Sequence, residues 1–187
     1  GDGRRDLVIG GRLEVRWRRQ LDDGSFSEAQ PLVAEIPEET GQIEAADVDA
    51  DGDQDVVYLD KITGVIGWYE NEGSTHFAPL QPITTASHGN QAFVLLDLDR
   101  DGVQDLLSVR DRSVFWVRNE GGGQFEEQGS LVSGYADGAL PSTIRAADID
   151  GEGTVDLLLP TTHVEWRSGA GPEPFREAQL ITPTIDT

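Results

Sequence analysis

The chain has 187 residues, of which 35 are acidic and 14 basic, for a formal net charge of -21 at pH 7. Such a surface repels nucleic-acid phosphates and anionic lipid heads and makes cations the natural partners. Cysteine is absent, which excludes a disulfide framework, a thiolate metal site and a cysteine nucleophile.

No stretch approaches the roughly 18 consecutive apolar residues of a membrane-spanning helix, and no signal-peptide pattern opens the chain. Neither membrane insertion nor nucleic-acid binding is expected. With 37% apolar residues, 22 glycines and 9 prolines, the composition predicts many short strands and turns.

The chain opens inside a motif. Asp2, Gly3, Arg4, Arg5 and Asp6, followed by Leu7 and Val8, match Asp51, Gly52, Asp53, Gln54 and Asp55, followed by Val56 and Val57, at an offset of 49 residues. The full form of the motif runs from Asp47 through Asp49, Asp51 and Gly52 to Asp55. It recurs as Asp97, Asp99, Asp101, Gly102 and Asp105, and again as Asp148, Asp150, Glu152, Gly153 and Asp156, with starts 50 and 51 residues apart. A second motif runs in phase with the first: Trp68, Asn71 and Gly73 before Phe77, and Trp116, Asn119 and Gly121 before Phe125. Weaker versions span Trp17 to Phe26 and Trp166 to Phe175. Two motifs in phase over four periods define an internal repeat.

Within the second copy, residues 42–47 and 56–59 are short apolar-rich segments on either side of the acidic loop, 65–69 carry the tryptophan, and 77–83 form a last strand before a polar linker at 84–90. No segment has sustained helical periodicity. Four strands in about 50 residues is the size of one β-propeller blade. The expectation is therefore an all-β repeat domain over residues 1–187 built of four-stranded antiparallel blades. The units are 1–40 (with its first strand missing), 41–90, 91–140 and 141–187, forming an arc of a larger propeller.

The loops have the chemistry of a calcium site. Calcium takes about six to eight oxygen ligands, so carboxylates at positions 1, 3, 5 and 9 of one short segment must converge. The glycine at position 6 permits the sharp turn this needs. Position 7, held by Asp53, Val103 and Thr154, contributes through its backbone carbonyl. An EF-hand would place a glutamate at position 12 between two helices; here Tyr58, Ser108 and a leucine follow, and position 9 leads straight into an apolar strand. Asp47, Asp49, Asp51 and Asp55, and Asp97, Asp99, Asp101 and Asp105, give two strong candidate calcium sites. Asp148, Asp150, Glu152 and Asp156 give a weaker one, because Glu152 is one methylene longer and is flanked by Gly151 and Gly153. The first copy retains only Asp2 and Asp6 and is expected to hold no ion. The competing reading, that these aspartates merely cap turns, would suit one loop better than three that each gather four like charges.

The acidic loop followed by two apolar residues, with Trp-x-x-Asn-x-Gly and a phenylalanine downstream, resembles the FG-GAP and VCBS repeats of integrin-α-like propellers over essentially the whole chain. That resemblance implies a loop joining the first and second strands of each blade and binding calcium.

The tryptophans, fixed at one repeat position, are expected to pack between blades, the competing reading being a sugar-stacking platform, and Asn71 and Asn119 to fix a turn. His76, His88 and His163 fall at unrelated repeat positions and support no histidine site. Arg4, Arg5, Arg12, Arg16, Arg18 and Arg19 form a basic cluster in the first unit, expected to pair with acidic neighbours, the competing reading being contact with a partner chain. The functional expectation is a calcium-binding, non-catalytic scaffold that meets a protein or glycan ligand, in an extracellular or cell-surface setting, with other chains completing the propeller. The alternative is the propeller segment of a secreted polysaccharide lyase or hydrolase.

Overall fold

The computed structural model describes residues 3–11, 14–33, 40–73, 76–84, 89–133, 143–160, 164–170, 175 and 177–181. Asp2, Arg12, His88, His163, part of the 84–90 linker and the segment 182–187 lie outside these. All regular structure among the described residues is β, and no helix is long and apolar enough to cross a membrane.

The chain divides into two compact units, residues 1–89 with 121–123, and residues 90–120 with 124–187. The first holds two antiparallel sheets. One has the order β1 (Leu7–Gly10), β2 (Val15–Arg18), β3 (Gln30–Val33). The other runs β4 (Thr40–Ala46), β5 (Asp55–Asp60), β6 (Ile66–Tyr69), β7 (Gln81–Pro82). The second unit holds β8 (Ala92–Leu96), β9 (Asp105–Arg110), β10 (Ser113–Asn119), β11 (Phe125–Ser133), and then β12 (Arg145–Ala147), β13 (Asp156–Pro160), β14 (Val164–Arg167), β15 (Gln179–Ile181). Within each sheet the strands adjacent in sequence pair, so each repeat folds as its own up-and-down sheet.

β5 and β9 are buried at every residue, the mark of strands covered on both faces, with neighbouring apolar residues at Val56–Leu59 and Leu106–Leu107. In the first unit Val15 and Leu32 from one sheet meet Val56, Tyr58 and Tyr69 from the other, with Trp17 and Phe77 packed against them. In the second unit Leu107, Val109, Val114 and Val132 meet Ile144, Leu157, Leu159 and Phe175, with Trp116 against that core. Trp17 and Trp116 thus pack where neighbouring sheets meet, as expected from their repeat position. Trp68 is also buried; a methyl group on Gly123 would stand 2.4 Å from its ring.

Two details differ from the expected strands. Residues 77–83 give only the short β7 and an isolated bridge between Asn71 and Phe77, because Pro79 and Pro82 cannot donate to a ladder. The proline-free equivalent in the next repeat, β11, runs nine residues. The β9–β10 hairpin turns on Asp111 and Arg112, both with positive φ (48° and 59°), the backbone of the tight turn that matches strand twist.

Candidate metal-binding loops

Each acidic loop lies between the first two strands of its sheet: 47–54 joins β4 to β5, 97–104 joins β8 to β9, and 148–155 joins β12 to β13. The turn is made by two left-handed residues. Position 6 has φ of 96°, 93° and 87° at Gly52, Gly102 and Gly153, as its glycine requires. Position 4 is left-handed too, with φ of 64° at Ala50, 66° at Arg100 and 78° at Gly151. With the chain so coiled, the N–H of the position-6 glycine donates to the first aspartate in every loop: Gly52 to Asp47 (3.1 Å), Gly102 to Asp97 (3.0 Å) and Gly153 to Asp148 (3.0 Å).

Position 9 has a different task. Asp55, Asp105 and Asp156 are fully buried. One oxygen of each accepts the N–H of position 2, from Val48, Leu98 and Ile149. The other accepts the N–H three residues after the tryptophan, from Asn71, Asn119 and Gly169. Burial pushes the Asp55 carboxyl up to about 6 against the lowering effect of those two N–H groups, with Asp49 and Asp51 adding to the rise. Asp105 is raised as well, again chiefly by burial. Asn71 and Asn119 hold the turn as expected, and their side-chain amides also reach back to the loop carbonyls of Gln54 (3.0 Å) and Gln104 (3.1 Å).

Three groups of carboxylates gather so that one oxygen from each member lies within 4.8 Å of the others: Asp47, Asp49 and Asp55; Asp97, Asp99 and Asp101; Asp148, Asp150 and Asp156. Each group could bind a metal ion. The convergence is by threes where the sequence predicted fours. Asp51 is solvent-exposed and accepts the Asp53 N–H at 2.8 Å. Asp105 stands at the start of β9 on its two backbone donors. Glu152 turns its carboxylate to the hydroxyls of Thr154 (2.7 Å) and Ser168 (3.1 Å). Among the position-7 residues, Asp53 and Val103 tie into the loops through their own N–H groups, and Thr154 through its hydroxyl.

Two of the first aspartates carry an orphan. Asp47 Oδ1 and Asp97 Oδ1 are buried without a hydrogen-bond partner, an arrangement that costs free energy unless a cation answers it. Asp148 differs: it is exposed, and its two oxygens take the N–H groups of Gly151 and Gly153.

One residue near the loops was missed by sequence reasoning. Arg118 Nε lies 2.5 Å from Asp99 Oδ2, one of its terminal nitrogens 3.0 Å from Asp101 Oδ2, and the other 2.6 Å from Glu120. The signal was available, because the position two residues after the tryptophan reads Glu70, Arg118 and Ser168 in the three repeats with a full acidic loop, a reversal of charge at one place. Glu70 faces away from its loop, taking the Gln81 amide at 3.1 Å.

In the first repeat Asp6 Oδ1 accepts the Gln20 N–H at 2.8 Å. Arg4 pairs with Asp22, and Arg16 with Glu14 at 2.8 Å, so these members of the basic cluster are answered by acidic neighbours.

In-phase loops, one sheet per repeat and a core shared by the two sheets of each unit define β-propeller blades. The model of the FG-GAP-like repeat matches residues 1–58, 47–108 and 97–159, and the chain belongs to that family. Among solved structures, it is similar to an Agrocybe aegerita lectin described for specific recognition of non-reducing terminal N-acetylglucosamine. The two share 19% identity at a TM-score of 0.69, over 94% of this chain and 49% of the lectin. It is also similar to part of the Photorhabdus luminescens Tc holotoxin pore, with 24% identity, a TM-score of 0.58, and coverage of 96% of this chain and 9% of that one. These likenesses concern the fold. The chain spans about half the length of the lectin. The comparison with curated proteins finds no match.

Proposed function

We propose that this chain is a calcium-stapled propeller segment that acts as a non-catalytic scaffold, presenting its loops and blade faces to a protein or glycan in an extracellular setting. The observation that carries the calcium half is the buried, unpartnered Oδ1 of Asp47, and likewise of Asp97, each beside two further carboxylates. A hard cation with several oxygen ligands answers such a set. The carbonyls of Asp53, Val103 and Thr154 are the natural additional ligands. The fourth loop is the weaker site, since Asp148 already has N–H partners on both oxygens. Because the loops link strands of thin sheets, binding free energy becomes folding free energy. Millimolar extracellular calcium would fill loops of modest affinity that a cytosol would leave largely empty.

On this reading residues 41–90, 91–140 and 141–187 are blades and 1–40 is a blade lacking its first strand, completed within a longer parent or by another chain. The glycan-recognising lectin of similar fold supports a glycan as one class of partner, and the toxin assembly supports a protein. The deciding experiment is calcium calorimetry with thermal unfolding in calcium and in chelator. Two or three sites with a large rise in Tm are expected. Absence of both heat and stabilisation would leave the aspartates as turn formers and remove the reading.

A further inference from the structure

We propose that Arg118 is an internal cation that competes with metal for the third loop, so that this loop keeps its shape without calcium and fills at a higher calcium concentration than the second. The inference rests on the calcium reading above and concerns how one site is tuned.

The argument is one of occupied oxygens. In the third loop Asp99 Oδ1 accepts the Asp101 N–H and Asp101 Oδ1 accepts the Val103 N–H. Of these two residues the oxygens left to face a metal are the Oδ2 atoms, and both are on the Arg118 guanidinium, at 2.5 and 3.0 Å, while Asp97 Oδ1 stays unpartnered beside them. A rigid planar fork suits this two-carboxylate arrangement, and Glu120 holds its third corner at 2.6 Å. Calcium can take Asp99 and Asp101 only by displacing a cation that already neutralises them. The second loop has the same backbone hydrogen bonds, from Asp51 to Asp49 and from Asp53 to Asp51, but the equivalent residue is Glu70, which takes the Gln81 amide and brings no cation to its loop. The fourth has Ser168, whose hydroxyl bonds Glu152. One repeat position therefore grades three otherwise similar loops.

The position-6 glycines supply a reporter for each loop, since the N–H groups of Gly52, Gly102 and Gly153 each contact the first aspartate of their own loop. Their amide resonances would be followed by 1H–15N NMR while the full chain is titrated with calcium from chelator, in wild type, Arg118→Gln and Arg118→Lys. The wild-type Gly102 midpoint is expected roughly tenfold above that of Gly52, the scale of a competing interaction of about 1.4 kcal/mol. Arg118→Gln should lower the Gly102 midpoint towards that of Gly52, leave Gly52 and Gly153 in place, and lower Tm in chelator. Arg118→Lys, with the charge but without the fork, should fall between. A wild-type Gly102 midpoint at or below that of Gly52, or one that Arg118→Gln does not move, overturns the competition while leaving calcium binding intact. If none of the three amides responds to saturating calcium, the calcium reading fails and this inference fails with it.

Discussion

The N–H of Asn71 donates to Oδ1 of Asp55 across 2.8 Å, tying the end of β6 to the first residue of β5. The same bond joins Gln20 to Asp6, Asn119 to Asp105 and Gly169 to Asp156, at 2.8, 2.8 and 2.9 Å. It survives in the first repeat, whose loop keeps only its end, and in the fourth, where the asparagine is replaced by glycine. The ninth loop position is therefore a strand-to-strand clamp in every repeat, and in the second and fourth it also stands among the grouped carboxylates.

Measurements in chelator weigh the clamp apart from ligation. Asp55→Ala removes a buried acceptor and strands the N–H groups of Val48 and Asn71; with bonds to a charged group at about 1.5–3 kcal/mol each, stability should fall by about 3 kcal/mol or more in chelator. Asp51→Asn, at an exposed side chain, should change chelator stability by no more than about 0.5 kcal/mol. Urea unfolding of both variants in chelator makes the test. Equal effects would show that position 9 is no clamp.

The repeat, the sheets and the tryptophan contacts were legible in the sequence because each recurs at a fixed phase, and a pattern present four times outweighs local ambiguity. The division of labour inside the loop was not. Asp47 and Asp55 are the same residue type within one motif, yet one keeps an unanswered oxygen while the other gives both oxygens to backbone donors. Only the path of β6 past the loop decides this. Arg118 escaped notice for a related reason: it comes from a later strand, whereas residues 97–105 hold four negative charges and Arg100 as their one cation. The shortness of β7 was open to prediction, since Pro79 and Pro82 stand in its sequence.

Position 4 of the loops stores strain that can be relieved. Ala50 is exposed with φ of 64°, a backbone costing roughly 1–2 kcal/mol for a residue with a Cβ. Ala50→Gly should stabilise the protein by about 0.5–1 kcal/mol after the entropy that glycine adds to the unfolded chain. Gly151→Ala, at the matching place with φ of 78°, should destabilise by a similar amount. The check is the shift of the urea midpoint at constant m-value, and shifts of the same sign in the two variants would contradict the assignment.

Gly169 is held to glycine by space. A Cβ there would lie 1.9 Å from the carbonyl oxygen of Val155 and 3.3 Å from the Phe175 ring, so Gly169→Ala must push β14 from its loop and break the 2.9 Å bond to Asp156. A loss of about 2–3 kcal/mol is expected, at the upper end of overpacking costs. Asn119→Gly, at the equivalent place with room for a side chain, should lose its amide contact to Gln104, about 1 kcal/mol. Thermal unfolding of the pair tests the contrast, and a milder effect for Gly169→Ala would refute it.

Without metal, the buried clamps give stability a pH dependence opposite to that of a salt-bridged carboxylate. The Asp55 carboxyl is pushed up to about 6 in the folded chain from an unfolded value near 3.9, and Asp105 is raised too. Between those values the folded state binds the proton more tightly than the unfolded state. The contribution is therefore fully present below about pH 4 and is lost as pH rises through about 6. In chelator, Tm should accordingly be higher at pH 5 than at pH 7. Calcium reverses the demand because it binds the deprotonated carboxylates, so its stabilising increment should grow from pH 5 to pH 7. Scanning calorimetry at both pH values, with calcium and with chelator, measures both slopes. If Tm in chelator rose from pH 5 to pH 7, burial of Asp55 and Asp105 could not be what dominates their ionisation.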